Sequence, residues 1–149
     1  MNRRQFLKGA AFATALLSTR TSLASYEGSE GAPAGGLLEL KNRENPTSME
    51  KGHVPAIETV SQVKKGEWFD VKVRVGFMKE HASHAEHWIT FIKLMVDGTY
   101  VAKTEYEVGG ISSSSAQFRI RLAETGLLYA VAHCNLHGTW LSDPVTVKV

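Results

Sequence analysis

Apolar and polar residues alternate along the second half of the chain with the period of two that is typical of β-strands. Between residues 69 and 77 the apolar side chains stand at odd positions, and Asp70, Lys72 and Arg74 separate them. Residues 118–122 alternate in the same way. A period of two places one set of side chains on a core face and the other set in solvent. We therefore predict a half-buried strand in each segment.

Other apolar segments extend this pattern. Residues 87–96 are almost continuously apolar, aromatic or β-branched, as expected of a central strand that is buried on both faces. Asp97-Gly98 is a hairpin turn signal after that strand. The remaining predicted strands begin near residue 54 or cover 99–108, 127–134 and 144–149, with a loop at 109–115. About seven strands and no convincing long helix predict an all-β fold, an immunoglobulin-like antiparallel β-sandwich.

The first 24 residues predict an export signal. The basic start Asn2-Arg3-Arg4-Gln5-Phe6-Leu7-Lys8 is followed by a short apolar stretch and by small residues up to Ala24. The paired arginines resemble the twin-arginine export signal. We therefore expect a periplasmic protein that is cleaved after Ala24, or a membrane-anchored one if the signal is retained. A basic amphipathic N-terminal helix is the alternative.

The chain after the signal divides near residue 50. Residues 25–49 are rich in Gly, Ser, Glu and Asn, and predict a linker or an N-terminal arm. Residues 50–149 contain the predicted strands. The expected organisation is therefore an export signal at 1–24, an arm at 25–49 and one β-sandwich domain at 50–149.

The amino-acid composition and the charge distribution mainly exclude classes of function. Hydrophobic residues make up 43% and charged residues 21% of the 149 positions, which is ordinary for a globular protein. The net charge of +2 comes from the N-terminus, because residues 1–24 hold four basic and no acidic side chains. The remaining residues carry 13 basic against 15 acidic side chains, and so a net charge of −2. We therefore expect no nucleic-acid partner.

Six histidines and one cysteine supply the candidate chemistry. A single cysteine excludes an intrachain disulfide and any metal cage built from cysteines alone. A lone histidine is more often structural than a ligand, but this group is dense and surrounds the only thiol. Its members are His53, His81, His84, His87, His133, Cys134 and His137.

The segment from His133 to Gly138 contains a Cys-x-x-His motif. This spacing allows the thiolate of Cys134 and the imidazole of His137 to reach one metal ion from a single loop. His133 is next to Cys134 in an extended segment, so its side chain is expected on the opposite sheet face. A buried hydrophobic thiol is the alternative interpretation of Cys134.

A second segment carries three further imidazoles. If it is a loop that enters a strand at His87, then His81 and His87 can hold a metal while His84 faces solvent. If it is a helix, the three would be spread along one side. His53 lies just before the first predicted strand and follows Glu50 and Lys51, for which a solvated charged turn is the alternative.

Three motifs in chain order resemble the superoxide reductase family, that is, the iron domain of desulfoferrodoxin and neelaredoxin. They are Glu50–Glu58 (EKGHVPAIE), the His81…His87 pair, and Cys134–Trp140 (CNLHGTW). The sequence differs from the family pattern by the insertion of Gly52, by Ala82 in place of a proline, and by the additional His84. There is no N-terminal four-cysteine site, so the resemblance is to the one-iron forms.

The resemblance implies an iron-binding enzyme. One iron per chain would alternate between Fe2+ and Fe3+, with Cys134 as the axial ligand and four histidines in a plane. These histidines would be His53, His81, His87 and His137. Glu50 would close the sixth position when the iron is ferric, and Lys51 would face the same side. The implied reaction is the one-electron reduction of superoxide to hydrogen peroxide.

The resemblance also implies partners. Electrons would come from an external donor, such as a rubredoxin-like or another redox protein, and a homo-oligomer is compatible with the sequence. Two other functions remain open. A cupredoxin-like electron carrier also uses a β-sandwich and Cys-x-x-His, but no methionine follows His137. A non-catalytic sulfur- or metal-carrier sandwich would use Cys134 to bind its cargo.

Overall fold

The computed structural model describes residues 36–149. The predicted export signal and residues 25–35 of the predicted arm lie outside the described residues. Within residues 36–149, no helix is long and apolar enough to cross a membrane.

Nine strands and one short helix make up the described part of the chain. In order they are β1 (Leu37–Leu38), α1 (Ser48–His53), β2 (Pro55–Thr59), β3 (Phe69–Val75), β4 (Ile89–Val96), β5 (Thr99–Glu105), β6 (Ser115–Ile120), β7 (Gly126–Cys134), β8 (Gly138–Leu141) and β9 (Val145–Val147).

The strands form two sheets. The larger has the order β1-β8-β7-β4-β5, with β9 also paired to β7, and the smaller has the order β2-β3-β6. All named pairs are antiparallel except β1 with β8. The predicted antiparallel β-sandwich is therefore confirmed. The strand count of nine exceeds the prediction of about seven because β1 has two residues and β8 has four, too few for a visible alternation.

The core lies between the sheets. In β3 the side chains of Val71, Val73 and Val75 are fully buried, as the alternation predicted. They belong to one apolar cluster with Leu94 of β4 and Leu128 of β7. Burial of such side chains contributes about 1.5–3 kcal/mol each relative to exposure, so this cluster is the main support of the two sheets.

The chain leaves β3 two residues earlier than the alternation suggested. Gly76 has φ +87°, and a Cβ there would lie 1.9 Å from the carbonyl oxygen of Lys79. Only glycine tolerates this tight turn. After the turn, the backbone N–H of His81 donates to the carbonyl of Val75 at 3.0 Å. The turn thus returns His81 to the end of the sheet.

The pairing of β4 with β7 brings two distant parts of the sequence together. Ile89 pairs with Cys134, which is the last residue of β7. β4 begins at Ile89 rather than at residue 87, because the backbone of His87 pairs with His84 in a small turn instead. Consequently the loop before β4 and the loop after β7 lie side by side.

The core predicts a clear stability contrast. Leu94→Ala should lower the free energy of unfolding by about 2–5 kcal/mol, because Leu94 is fully buried and the deletion leaves a cavity. Val101→Ala in the neighbouring strand β5 is the control, because Val101 is 47% exposed, and it should cost less than about 1 kcal/mol. Urea unfolding measures both. Equal losses would contradict the assignment of the core.

Candidate metal centre

Five donor side chains meet at one end of the sandwich. They come from the last residue of α1, the loop before β4, the end of β7 and the loop that follows it: His53, His81, His87, Cys134 and His137. Each donor lies at the end of a helix or strand, or in a loop next to one. There the side chain is held in place by the fold but is not part of the apolar packing between the sheets.

Helix α1 fixes the orientation of His53. Thr47 caps the helix with its hydroxyl, which accepts the N–H of Glu50 at 3.2 Å, and Glu50 in turn accepts the N–H of Thr47. This reciprocal capping box stabilises the first turn. At the other end, Nδ1 of His53 donates to the carbonyl of Met49 at 2.8 Å. Because a carbonyl only accepts, Nδ1 carries the proton and Nε2 keeps its lone pair.

Cys134 is completely buried at the centre of the group. Burial raises the pKa of its thiol, and the backbone N–H groups of Leu136 and His137 oppose this by hydrogen bonding to the sulfur. The same tight turn places Nδ1 of His137 at 3.5 Å from Sγ. A metal ion would remove the thiol proton outright, so the two N–H groups would then stabilise a thiolate.

The four imidazoles form a square. Around it, neighbouring ring centroids lie 4.6–4.8 Å apart, with interplanar angles of 79–88°. The cyclic order is His53, His81, His87 and His137. Across the square, the rings of His53 and His87 are 6.2 Å apart and nearly parallel, with an interplanar angle of 26°. The four imidazoles thus surround one small volume, and within it the donor atoms of His53, His87 and His137 lie close to Sγ of Cys134, whereas His81 is placed beside them by its ring contacts.

The distances between donor atoms fit a single metal ion. Two imidazole nitrogens bound at right angles, with metal–nitrogen bonds of about 2.1 Å, would be about 3.0 Å apart. Nε2 of His53 is 3.0 Å from Nδ1 of His137, and Nε2 of His87 is 3.1 Å from Sγ of Cys134. The donor atoms of these four residues all lie within 4.8 Å of one another. This set of residues therefore fits a mononuclear metal centre.

His81 has no hydrogen-bond partner for either ring nitrogen, although its side chain is only 5% exposed. Buried polar groups are normally paired. Burial, followed by repulsion from His53 and His87, lowers the pKa of His81 to about 4. Its ring lies beside those of His53 and His87, which makes it the fourth corner of the square. A buried, neutral imidazole without a hydrogen-bond partner has a ring nitrogen available to bind a metal ion, and His81 therefore fits the role of a ligand.

The pKa shifts favour metal binding over protonation. Burial lowers the pKa of His53 and of His87, and repulsion from His137 lowers both further. A neutral imidazole is the form that binds a metal. The imidazoles of His53, His81 and His87 therefore stay available as ligands at pH values where a free histidine would begin to take up a proton.

The structure places the candidate residues Glu50 and Lys51 on α1. Both carboxylate oxygens of Glu50 are engaged, since Oε1 accepts the N–H of Lys41 at 2.9 Å and Oε2 that of Thr47 at 2.6 Å. These bonds lower the pKa of Glu50. The backbone carbonyl of Lys51 accepts the N–H groups of Met78 and Lys79, and its side chain is half-buried.

Two histidines lie outside the square. His84 is exposed, and the sequence interpretation in which His84 faces solvent while His81 and His87 point inward is the one that the structure adopts. His133 donates or accepts at Nδ1 with the hydroxyl of Thr139 at 2.8 Å and stacks on Phe91 at 5.5 Å. It is therefore directed to the opposite face of the sheet, as the alternation predicted.

Sequence reasoning missed two residues that hold this group. Trp140 donates from Nε1 to the carbonyl of His137 at 3.0 Å, and its ring lies 5.3 Å from that of His53. Asn135 bonds the backbone on both sides of His87. Both residues were within the quoted CNLHGTW motif, but nothing in the sequence indicated their distant partners, since Asn135 bonds residues 47 and 49 positions away and the Trp140 ring contacts His53.

Comparison with known proteins agrees with the geometry. Residues 45–143 match the sequence model of the desulfoferrodoxin family. The superoxide reductase of Thermococcus kodakarensis is 35% identical over 99 residues, which cover 61% of this chain and 84% of that protein. The superoxide reductase of Pyrococcus furiosus is 32% identical over 108 residues, with coverage of 61% and 85%. The structure of superoxide reductase (neelaredoxin) from Ignicoccus hospitalis gives a TM-score of 0.65 at 30% identity, with coverage of 76% and 94%.

The engagement of Glu50 predicts a pH-dependent contribution to stability. Its folded-state pKa is below the ordinary value of 4.5, so the contribution is complete above that value and is lost as the pH falls through the folded-state pKa. Glu50→Gln should therefore be less stable than the unmodified protein at neutral pH, and the difference should shrink below pH 4.5. Thermal unfolding of the metal-free protein measures it.

The matched control is Glu124→Gln, since Glu124 is an exposed glutamate. It should leave stability nearly unchanged across the same pH range. A difference between Glu50→Gln and the unmodified protein that stays constant down to pH 3 (about one unit below a free carboxyl) would contradict the assigned hydrogen bonds.

Proposed function

Since the chain belongs to the desulfoferrodoxin family, we propose that it is a superoxide reductase, an oxidoreductase that reduces superoxide by one electron to hydrogen peroxide. The observation that carries this proposal is the square of four imidazoles beside a buried cysteine sulfur. Relatives named superoxide reductase match over 61% of the chain.

The donor set suits iron. Imidazole nitrogen and cysteine sulfur are ligands for iron, copper and zinc, and the protein selects among these by geometry and availability. We propose that His53, His81, His87 and His137 supply the nitrogens and that Cys134 supplies the sulfur. One iron per chain held by these residues would supply the electron through the Fe2+/Fe3+ couple, and an external redox protein, such as one of the rubredoxin type, would supply its replacement.

The chemistry of the residues fits an anionic substrate. The overall reaction joins superoxide, one electron and two protons to give hydrogen peroxide, with no oxygen released. Imidazole ligands carry no charge, so they would not cancel the charge of a cation at the centre, and only a Cys134 thiolate would do so in part. With a divalent cation bound, the local charge would be positive and would attract superoxide.

Lys51 adds to this attraction in the proposal. A lysine ~4 Å from an anion contributes on the order of 1 kcal/mol in water, and charge steering changes encounter rates by about 10- to 1,000-fold. Lys51 is on the same helix as His53 and two residues before it. In the proposal, Lys51 acts through its charge on the rate of arrival of superoxide and not on the type of reaction. We assign Glu50 primarily to the helix cap, where its hydrogen bonds are found.

Two structural features weigh against the other functions considered from the sequence. A cargo-binding cysteine has to be reachable, whereas Cys134 has no exposed surface. A blue-copper site takes two histidines, a cysteine and an axial methionine. Here four imidazoles surround the sulfur, and the buried Met95 belongs to a different apolar cluster, with Val131 and Leu141.

The proposed location is the periplasm, after export by a twin-arginine-type signal at residues 1–24 and cleavage after Ala24. Its support is the basic, apolar and small-residue order of that segment. Export in the folded state would suit a protein that receives its iron in the cytoplasm, because metal choice there is governed by availability.

The choice of the fourth imidazole can be tested by metal binding. His81→Ala should weaken iron binding by about 10-fold or more, since a direct ligand is at least as important as the outer-shell partners that contribute 10–100-fold. His84→Ala is the matched control from the same loop and should leave binding unchanged, because His84 is exposed. Competition with a chelator measures both. Equal effects of the two substitutions would contradict the assignment of His81.

The reaction itself can be tested by pulse radiolysis of the iron-loaded protein. Peroxide should form in the same molar amount as superoxide disappears, whereas dismutation would give half as much. Cys134→Ser should abolish the reaction, because it removes the sulfur donor, and Lys51→Ala should slow superoxide loss while iron stays bound. Full activity of Cys134→Ser, or copper at one equivalent with an intense thiolate band, would overturn the proposal.

A further inference from the structure

Asn135 makes three hydrogen bonds around His87. Its side-chain Oδ1 accepts the N–H of Trp88 at 2.9 Å, and its Nδ2 donates to the carbonyl of Glu86 at 2.8 Å. Its backbone N–H donates to the carbonyl of Trp88 at 3.2 Å. One residue thus uses both its side chain and its backbone to bind the two neighbours of His87.

These bonds fix the backbone of His87. The carbonyl of Glu86 belongs to the peptide unit before His87, and the N–H of Trp88 belongs to the unit after it. Because peptide units are planar, the orientation of both units determines φ and ψ of the residue between them. The amide of Asn135 therefore sets the direction in which the imidazole of His87 leaves the main chain.

The same residue is bonded to Cys134. Regular pairing of β4 with β7 ends at Ile89 and Cys134, and beyond this point the amide of Asn135 takes the place of a backbone partner. Nε2 of His87 and Sγ of Cys134 are 3.1 Å apart. Asn135 is therefore covalently joined to the residue that carries one donor atom, Cys134, and hydrogen-bonded to both neighbours of the residue that carries the other, His87.

We propose that Asn135 is a positioning residue that fixes the separation of the His87 imidazole and the Cys134 sulfur. The inference rests on the proposed function in taking these two groups as metal ligands. The position requires an amide, since it must accept from one backbone group and donate to another. Aspartate could only accept, and would place a carboxylate against the carbonyl oxygen of Glu86; alanine could do neither.

The experiment compares four full-length proteins: the unmodified chain, Asn135→Ala, Asn135→Asp and Asn42→Ala. Asn42 is the matched control, because its Oδ1 also accepts two backbone N–H groups, those of Glu44 and Asn45 at 3.0 and 3.2 Å, in an exposed loop. Co2+ is the probe, since its thiolate charge-transfer band reports the bond to Cys134. Substitution of outer-shell partners typically weakens metal binding by about 10–100-fold.

We expect both Asn135 variants to bind Co2+ at least about 10-fold more weakly and to show a shifted thiolate band, and Asn42→Ala to match the unmodified chain in both. The position of the thiolate band distinguishes a change in ligand geometry from a general loss of stability. A general loss of stability lowers the melting temperature but leaves the band of the folded protein where it was. If Asn135→Ala does not fold, Asn135→Asp carries the test, since it keeps the bond to Trp88. An unchanged affinity and band in the folded Asn135 variants would overturn the inference.

A second experiment, on the metal-free proteins, tests this inference independently of the proposed function. In the metal-free proteins, alkylation of Cys134 should be roughly tenfold faster in Asn135→Ala, the factor expected when a local opening loses one or two hydrogen bonds. Asn42→Ala should react at the unmodified rate. If no chain binds Co2+ or iron, the proposed function is wrong, and the alkylation rates still decide on Asn135: equal rates would overturn its role.

Discussion

The pairing of β4 with β7 is the constraint on which the candidate site depends. Ile89 and Cys134 are opposite each other at the end of this ladder, so the loop before β4 and the turn after β7 have to share one small volume. The ladder is central in the larger sheet and is buried on its inner face by the apolar cluster between the sheets. The donors contact one another through side-chain hydrogen bonds, which join His53 to His137 and Cys134 to His87 and His137. The pairing of β4 with β7 brings the loops that carry His87, Cys134 and His137 close enough for these contacts to form.

Loops around this ladder are held by close backbone approaches. A Cβ at Gly76 would meet the carbonyl of Lys79, and a Cβ at Gly109 would lie 2.2 Å from the carbonyl oxygen of His84. The first approach shapes the turn that leads to His81, and the second packs the loop after β5 against the turn before His87. Such contacts limit the freedom of loops that would otherwise be mobile. The site thus combines donors on loops with the rigidity of the strands.

Much of the fold follows from local patterns, while the site depends on tertiary contacts. Strands β3 and β4 could be predicted because their sequence patterns match their burial. In β3 every second side chain is buried, and in β4 most side chains are buried or half-buried. Helix α1 was missed as a six-residue element, although Thr47-Ser48-Met49-Glu50 has the form of a capping box. The same box gave Glu50 a structural role that its charge did not reveal. The amide of Asn135 was unpredictable for a different reason: its partners, Glu86 and Trp88, are identified only once β4 and β7 are paired.

The metal-free site is energetically unfavourable in a way that couples metal binding to stability. A buried imidazole without a hydrogen-bond partner, as in His81, costs about 1–3 kcal/mol. Burial at the same time lowers the pKa values of His53, His81 and His87, so protonation does not relieve this cost near neutral pH. A cation at the centre would satisfy all of these groups at once. Binding free energy then appears as folding free energy, and selection for a tight metal site also stabilises the sandwich that forms it.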